Sequence, residues 1–236
     1  QGKNVAVKGD LGQSAAGKTD KNGELTVPEV EQTERHGVYI VGYTDGTFGP
    51  SRSMTRSEAA AIFARLLAEK NGDTISTAAN TKFADIPAHA WYSGYVKYLS
   101  NNGITYGKSK TIFAPNDAIT RAEFTTMAVR FFDVYGDGDA EIMEQFSGFN
   151  DVSSGYWAAE YIKYAALHGW INGYGDGSFH ADREINRAEV VTIVNRLLGR
   201  EADEDYIADN LRKLNTFPDV TKRHWAYYAV MEAANA

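Results

Sequence analysis

Three arginines recur in one local pattern. Arg56 stands in MTRSE (54–58), Arg121 in ITRAE (119–123) and Arg187 in INRAE (185–189). In each copy Thr55, Thr120 or Asn186 is a natural N-cap, and Glu58, Glu123 or Glu189 follows three residues later. That is the spacing of a capping box, in which the two side chains satisfy backbone N–H groups reciprocally. The arginine then falls in the first turn of a helix, where the dipole opposes a positive charge by about 0.3–1 kcal/mol. Two kinds of chemistry fit. Each arginine pairs with the glutamate of its own motif or with another acidic neighbour. Alternatively, it stands beside free helix N–H groups and grips an anion, a carboxylate above all, bidentately.

Other side chains repeat in step with these arginines. Trp91 and Trp157 stand thirty residues before Arg121 and Arg187, and each opens an aromatic-rich helix. Gly103 and Gly169, twelve residues beyond the tryptophans, are placed as C-terminal caps. Asp85 and Asp151 close Phe-x-Asp triplets ahead of each tryptophan. FPDVTKRHW at 217–225 repeats the pattern with Asp219 and Trp225. The tryptophans can be core packing or a stacking platform for sugar rings. The aspartates can cap the tryptophan helix or its lead-in turn, or hold sugar hydroxyls. Tyr43 and Tyr174 precede Asp-Gly turns in GYTDGTF and GYGDGSF, where Asp45 and Asp176 are turn-formers and the tyrosines line the same cleft.

The elements that must position these groups are helices. The arginine spacings are 65 and 66 residues, and one apolar stripe follows each arginine. The stripes are Ala59, Ile62, Phe63, Leu66, Leu67; Phe124, Met127, Ala128, Phe131, Phe132; and Val190, Ile193, Val194, Leu197, Leu198, each the face of an amphipathic helix. One unit is therefore tryptophan helix, turn-rich loop, arginine helix. The second unit spans 83–132 and the third 149–198. The first arginine has no tryptophan helix before it, and the missing half lies at the other end of the chain. Residues 36–70 and 217–236 are expected to meet as one split unit, closing a ring of three. Residues 1–35 contain no aromatic residue and read as a leader or linker from a larger surface protein, and 199–216 as a second linker. The chain opens on Gln1 and reads as a mature or excised fragment.

Composition narrows the function. Hydrophobic content of 43% and aromatic content of 12% support a packed core. A net charge of −7 and a pI near 5.3 argue against general binding to nucleic acid or anionic membranes. The absence of cysteine removes disulfides and thiol chemistry. The five histidines form no metal-binding or nucleophile–base pattern, so no metal, no cofactor and no enzyme activity is expected. The stretch 133–144 has Asp133, Asp137, Gly138 and Glu144 at calcium-loop positions but Tyr135 at the third, and reads as an acidic surface loop. The second unit departs from the others: GKSKTIF puts Lys108 in the tyrosine slot, so its groove is either degraded or retuned with extra positive charge.

The repeated Phe-x-Asp-Val, tryptophan, Gly-Tyr-x-Asp-Gly-x-Phe and Thr-Arg-Ala-Glu together resemble the S-layer homology repeat of bacterial surface proteins, over residues 36–236. The resemblance implies a mainly α fold of three pseudo-threefold-related helix–loop–helix units around a central helical bundle, with short extended pieces in the loops. It implies a secreted module of the cell wall or S-layer that holds a secondary wall polysaccharide bearing pyruvate ketals, or peptidoglycan, without membrane insertion. It places the ligand in grooves between adjacent repeats. Arg56, Arg121 and Arg187 would act there as clamps, with Trp91, Trp157, Trp225, Asp85, Asp151, Asp219, Tyr43 and Tyr174 about them. A structural or protein-interaction module is the other reading.

Overall fold

The helices start where the capping motifs lie. The computed structural model describes residues 4–8, 14–19, 25–26, 37–136 and 146–235, in two units, Gln1–His36 and Gly37–Ala236. Three arginine helices open directly on the motif arginine: α1 (Arg56–Asn71), α3 (Arg121–Tyr135) and α5 (Arg187–Leu197). A complete capping box precedes each one. The apolar stripes face inward into the core, with only Phe132 and Leu198, at the ends of their stripes, partly buried. Three further helices follow the tryptophans: α2 (Ser93–Asn101), α4 (Ala159–Leu167) and α7 (Tyr227–Ala234). Gly103 and Gly169 end α2 and α4 in the left-handed region, φ 74° and 69°, where a residue without Cβ costs nothing. The short α6 (Glu204–Asn210) lies in the stretch expected to link repeats. No described helix is long and apolar enough to cross a membrane.

Three extended segments just ahead of the arginine helices close into a triangle. Met54 N–H donates to Ile185 O at 2.9 Å, Ile185 to Ile119 at 3.0 Å, and Ile119 back to Met54 at 2.9 Å. Isolated bridges pair Ser53 with Asn186, Thr55 with Ala118 and Thr120 with Glu184. All three central side chains are fully buried, so each repeat is hydrogen-bonded to both others at the centre.

The first and last segments of the Gly37–Ala236 unit meet. Phe48 packs on Phe217 with ring centroids 5.3 Å apart, just as Phe113 meets Phe83 at 5.5 Å and Phe179 meets Phe149 at 5.1 Å. Tyr39 donates to Asn195 at 2.5 Å. Helix pairing, however, runs one step off the sequence repeat. The tryptophan helices pack on the arginine helix of the preceding repeat: α2 on α1, α4 on α3, and α7 on α5. The two helices of one repeat, α2 with α3 and α4 with α5, are joined mainly through the loop between them.

In the N-terminal unit, β1 (Asn4–Lys8), β2 (Ser14–Thr19) and β3 (Leu25–Thr26) form an antiparallel sheet in the order β1-β2-β3, with Asn4 opposite Lys18 and Lys18 opposite Thr26. The stretch read as a leader thus contains strands. Residues 137–144 of the acidic loop lie outside the described residues.

Candidate functional site: three grooves between repeats

Each motif arginine reaches out of its own repeat into the next. Arg56 Nε donates to Phe113 O at 2.7 Å, Arg121 to Phe179 O at 2.8 Å, and Arg187 to Phe48 O at 2.8 Å, completing a circuit of the three repeats. Each guanidinium lies over the ring of that same phenylalanine, 4.5–5.1 Å from its centroid. Of the two acidic partners the sequence left open, the own-motif glutamate or another acidic neighbour, the structure pairs Arg56 and Arg121 with the next repeat's glutamate. Arg56 meets Glu123 and Arg121 meets Glu189, both at 3.0 Å. The own-motif glutamate turns back to its N-cap N–H instead. Arg121 Nη2 also donates to Asn172 O at 3.2 Å, and Arg187 Nη2 to Val41 O at 2.7 Å. The three arginines are 4–5% exposed. Burial lowers the pKa of Arg121 and Arg187 from the ordinary arginine value. Glu189 opposes this at Arg121, and Tyr43 and Glu58 oppose it at Arg187.

Free helix N–H groups, which an anion site at the helix start would need, are not there. The first N–H of each arginine helix donates to the neighbouring repeat: Arg56 to Asp117 O, Arg121 to Arg183 O and Arg187 to Arg52 O, at 2.8–3.0 Å. The second does likewise, from Ser57, Ala122 and Ala188. The third goes to the N-cap side chain, and the N-cap's own N–H goes to the motif glutamate. All four orphan donors of a helix start are used inside the fold. Any anion must therefore be held by side chains.

The aspartates do not cap the tryptophan helices; α2, α4 and α7 have no side-chain cap. Each instead accepts two consecutive backbone N–H groups of the turn loop. Asp85 takes Phe113 and Ala114 (2.9 and 2.6 Å), Asp151 takes Phe179 and His180 (both 2.7 Å), and Asp219 takes Phe48 and Gly49 (2.9 and 2.7 Å). Burial works to raise the Asp151 pKa, but the N–H groups of Phe179 and His180 outweigh it and hold the carboxyl below its usual value. Asp45 and Asp176 are turn-formers as expected, accepting from Thr47 and Ser178. The tryptophans lie two residues ahead of their helices rather than within them. Trp91, Trp157 and Trp225 are 54%, 57% and 65% exposed, which is not the burial that core packing requires.

Three grooves result, one on each junction. One holds Arg187, Tyr43, Glu58, Arg65 and Trp91. Another holds Arg121, Tyr174, Glu189, Arg196 and Trp225. The last holds Arg56, Tyr106, Glu123, Arg130 and Trp157. Their volumes are about 200, 250 and 90 Å³. The third is the departing second repeat's. Its Lys108 brings no extra charge to an anion, because it pairs with Asp117 at 3.0 Å, where the other repeats place Arg52 and Arg183 over the loop tyrosine. Every groove also contains an arginine that sequence reasoning passed over: Arg65, Arg130 and Arg196. Each lies nine residues after its motif arginine and seven after the glutamate, two helical turns along one face.

A family model described as S-layer homology domain matches residues 26–60, 82–125 and 148–191, more than half of the chain. The chain belongs to the S-layer homology family. It is 35% identical over 207 residues to "Cell surface glycoprotein 1" of Acetivibrio thermocellus, covering 84% of this chain and 8% of that protein. It is 30% identical to the "Cellulosome-anchoring protein" of the same organism, over 93% of this chain and 47% of that protein. A "Surface-layer 125 kDa protein" of Lysinibacillus sphaericus is 32% identical over 67% of this chain and 13% of its own length. The chain thus spans under half the length of each of these relatives.

Proposed function

We propose that this chain is a non-catalytic cell-surface anchoring module that holds an anionic wall polysaccharide in the grooves between its repeats. The observation that carries this is the recurrence of one layout at three junctions. A guanidinium–glutamate floor, a further arginine and a solvent-facing tryptophan stand together each time. An exposed indole offers a face to a sugar ring, and the arginines favour a carboxylate such as a pyruvate ketal. Arg56, Arg121 and Arg187 form the groove floors, Tyr43 and Tyr174 the near walls, and Trp91, Trp157 and Trp225 the rims. Asp85, Asp151 and Asp219 hold the loops that shape them. The repeats are read as 83–132, 149–198 and a first one split between 36–70 and 217–236. Several weak grooves on one rigid body raise avidity when the polymer repeats its epitope.

The test is co-sedimentation with wall sacculi before and after removal of the secondary polysaccharide. Binding to intact sacculi only supports the polysaccharide. Equal binding to both points to peptidoglycan, and binding to neither overturns anchoring. The inter-repeat ion pairs favour a second reading, a structural or protein-interaction module. On that reading the arginine variants lose melting temperature and no glycan affinity is found.

A further inference from the structure

Resting on that anchoring reading, we infer that Arg65, Arg130 and Arg196, rather than the motif arginines, make the direct contact with the ligand's carboxylate. The motif guanidiniums are committed to the fold. Arg121 spends Nε on Phe179 O, Nη1 on Glu189 and Nη2 on Asn172 O, and it is almost wholly buried. Arg56 and Arg187 repeat the Nε bond to the next repeat's phenylalanine carbonyl. The helix N–H groups are consumed as well. The outer arginines stand differently. None of the three forms an ion pair with a carboxylate among the described residues. Arg65 and Arg130 touch phenol hydroxyls, of Tyr95 and Tyr161. Asn172, its amide turned to satisfy both neighbours, accepts from Arg196 at 3.2 Å. Glutamates pair with Arg56 and Arg121, and Glu58 opposes the burial of the Arg187 charge, whereas the outer arginine of each groove pairs with no carboxylate among the described residues. It lines the same cavity as a tryptophan. That pairing selects a saccharide whose carboxylate projects from the edge of a ring lying on the indole.

The grooves are graded by the same criterion. Arg130 is held between the rings of Tyr106 and Tyr161, 4.7 and 5.0 Å from their centroids, in the smallest cavity. Arg65 lies 5.1 Å from the Tyr95 ring. At the position equivalent to those tyrosines, four residues after the tryptophan, the third groove's helix has Ala229 instead of a phenol. Its groove is the largest, and Arg183 adds a second cation against Glu189. The Arg196 groove is therefore the principal site, the Arg65 groove the second and the Arg130 groove the weakest.

The experiment compares wild type, Arg65→Gln/Arg130→Gln/Arg196→Gln, Arg196→Gln, Arg196→Lys and Arg121→Gln. It uses calorimetry with a pyruvate-ketal disaccharide, co-sedimentation with wall sacculi, and thermal melts. The triple variant is expected to lose at least tenfold in affinity for the disaccharide at unchanged melting temperature. Arg196→Gln alone should remove the tightest binding phase, and Arg196→Lys should retain part of it. Arg121→Gln should instead lower the melting temperature. Wild-type affinity in the triple variant overturns the assignment, as does a triple variant that loses affinity only together with its melting temperature. A wild type that binds neither probe overturns the anchoring reading beneath it.

Discussion

Substituting Asp219 with alanine probes how the two chain ends are held together. Its carboxylate accepts Phe48 N–H at 2.9 Å and Gly49 N–H at 2.7 Å across 171 and 170 residues of chain. Hydrogen bonds to a charged acceptor contribute about 1.5–3 kcal/mol each. Asp219 is solvent-exposed, so the lower end applies and is reduced further by competition with water, giving about 2 kcal/mol for the pair. The Phe48 residue that loses its acceptor is fully buried and packed against Phe217, which leaves the N–H little access to a replacement. For a body of this size about 2 kcal/mol lowers the melting temperature by roughly 4–8 °C. Asp219→Asn keeps one acceptor oxygen and should fall between alanine and wild type. Differential scanning calorimetry reads the shift, and hydrogen exchange at the Phe48 and Gly49 amides reads the local opening. A change under about 1 °C, with exchange at both amides as slow as in wild type, would refute the closure.

Three further outcomes follow from the same geometry. Ala114 sits at φ 58°, where the first repeat has Gly49 at 68°; Ala114→Gly should raise stability by about 0.5–1 kcal/mol in denaturant unfolding, the relief of strain exceeding the added chain entropy. Gly173 leaves no room for a Cβ, which would lie 2.5 Å from Phe149 Cε1 and 2.7 Å from Ser178 O. Gly173→Ala should therefore cost about 2–3 kcal/mol by the same measurement. The Asp151 carboxyl, held below its usual value in the folded chain, contributes stability that is present above the unfolded pKa near 3.8 and is lost as the pH falls through the lower folded value. Melting temperatures of Asp151→Asn should accordingly fall less steeply with acid than those of wild type.

Sequence pattern exposed whatever is local and repeated. Thr55 with Glu58, Thr120 with Glu123 and Asn186 with Glu189 could be read as capping boxes because both partners lie within one turn. The stripes from Ala59 to Leu67 and from Val190 to Leu198 likewise needed only helical periodicity. Long-range contacts were less legible. Nothing near Asp85 indicates that it reaches the N–H groups of Phe113 and Ala114, nearly thirty residues on. The N–H groups of Arg56 and Ser57 look free at a helix start, yet carbonyls of the next repeat fill them. The chain-end match through Trp225 was visible as a missing tryptophan slot, but chain order does not say which helices share a packing face. That is why α7 lies on α5 although its sequence repeat joins it with α1. Arg65, Arg130 and Arg196 were open to view at constant spacing. A single arginine on the polar face of a helix looks like ordinary surface charge, and only the groove gathers it with a tryptophan.

A calorimetric titration with a pyruvate-ketal disaccharide, and with the same disaccharide lacking the ketal, tests the central claim most directly. Arginine-lined grooves that recognise a carboxylate on a sugar ring should bind the first and show no heat with the second. Equal affinity for the two sugars, or heat with neither, would contradict it.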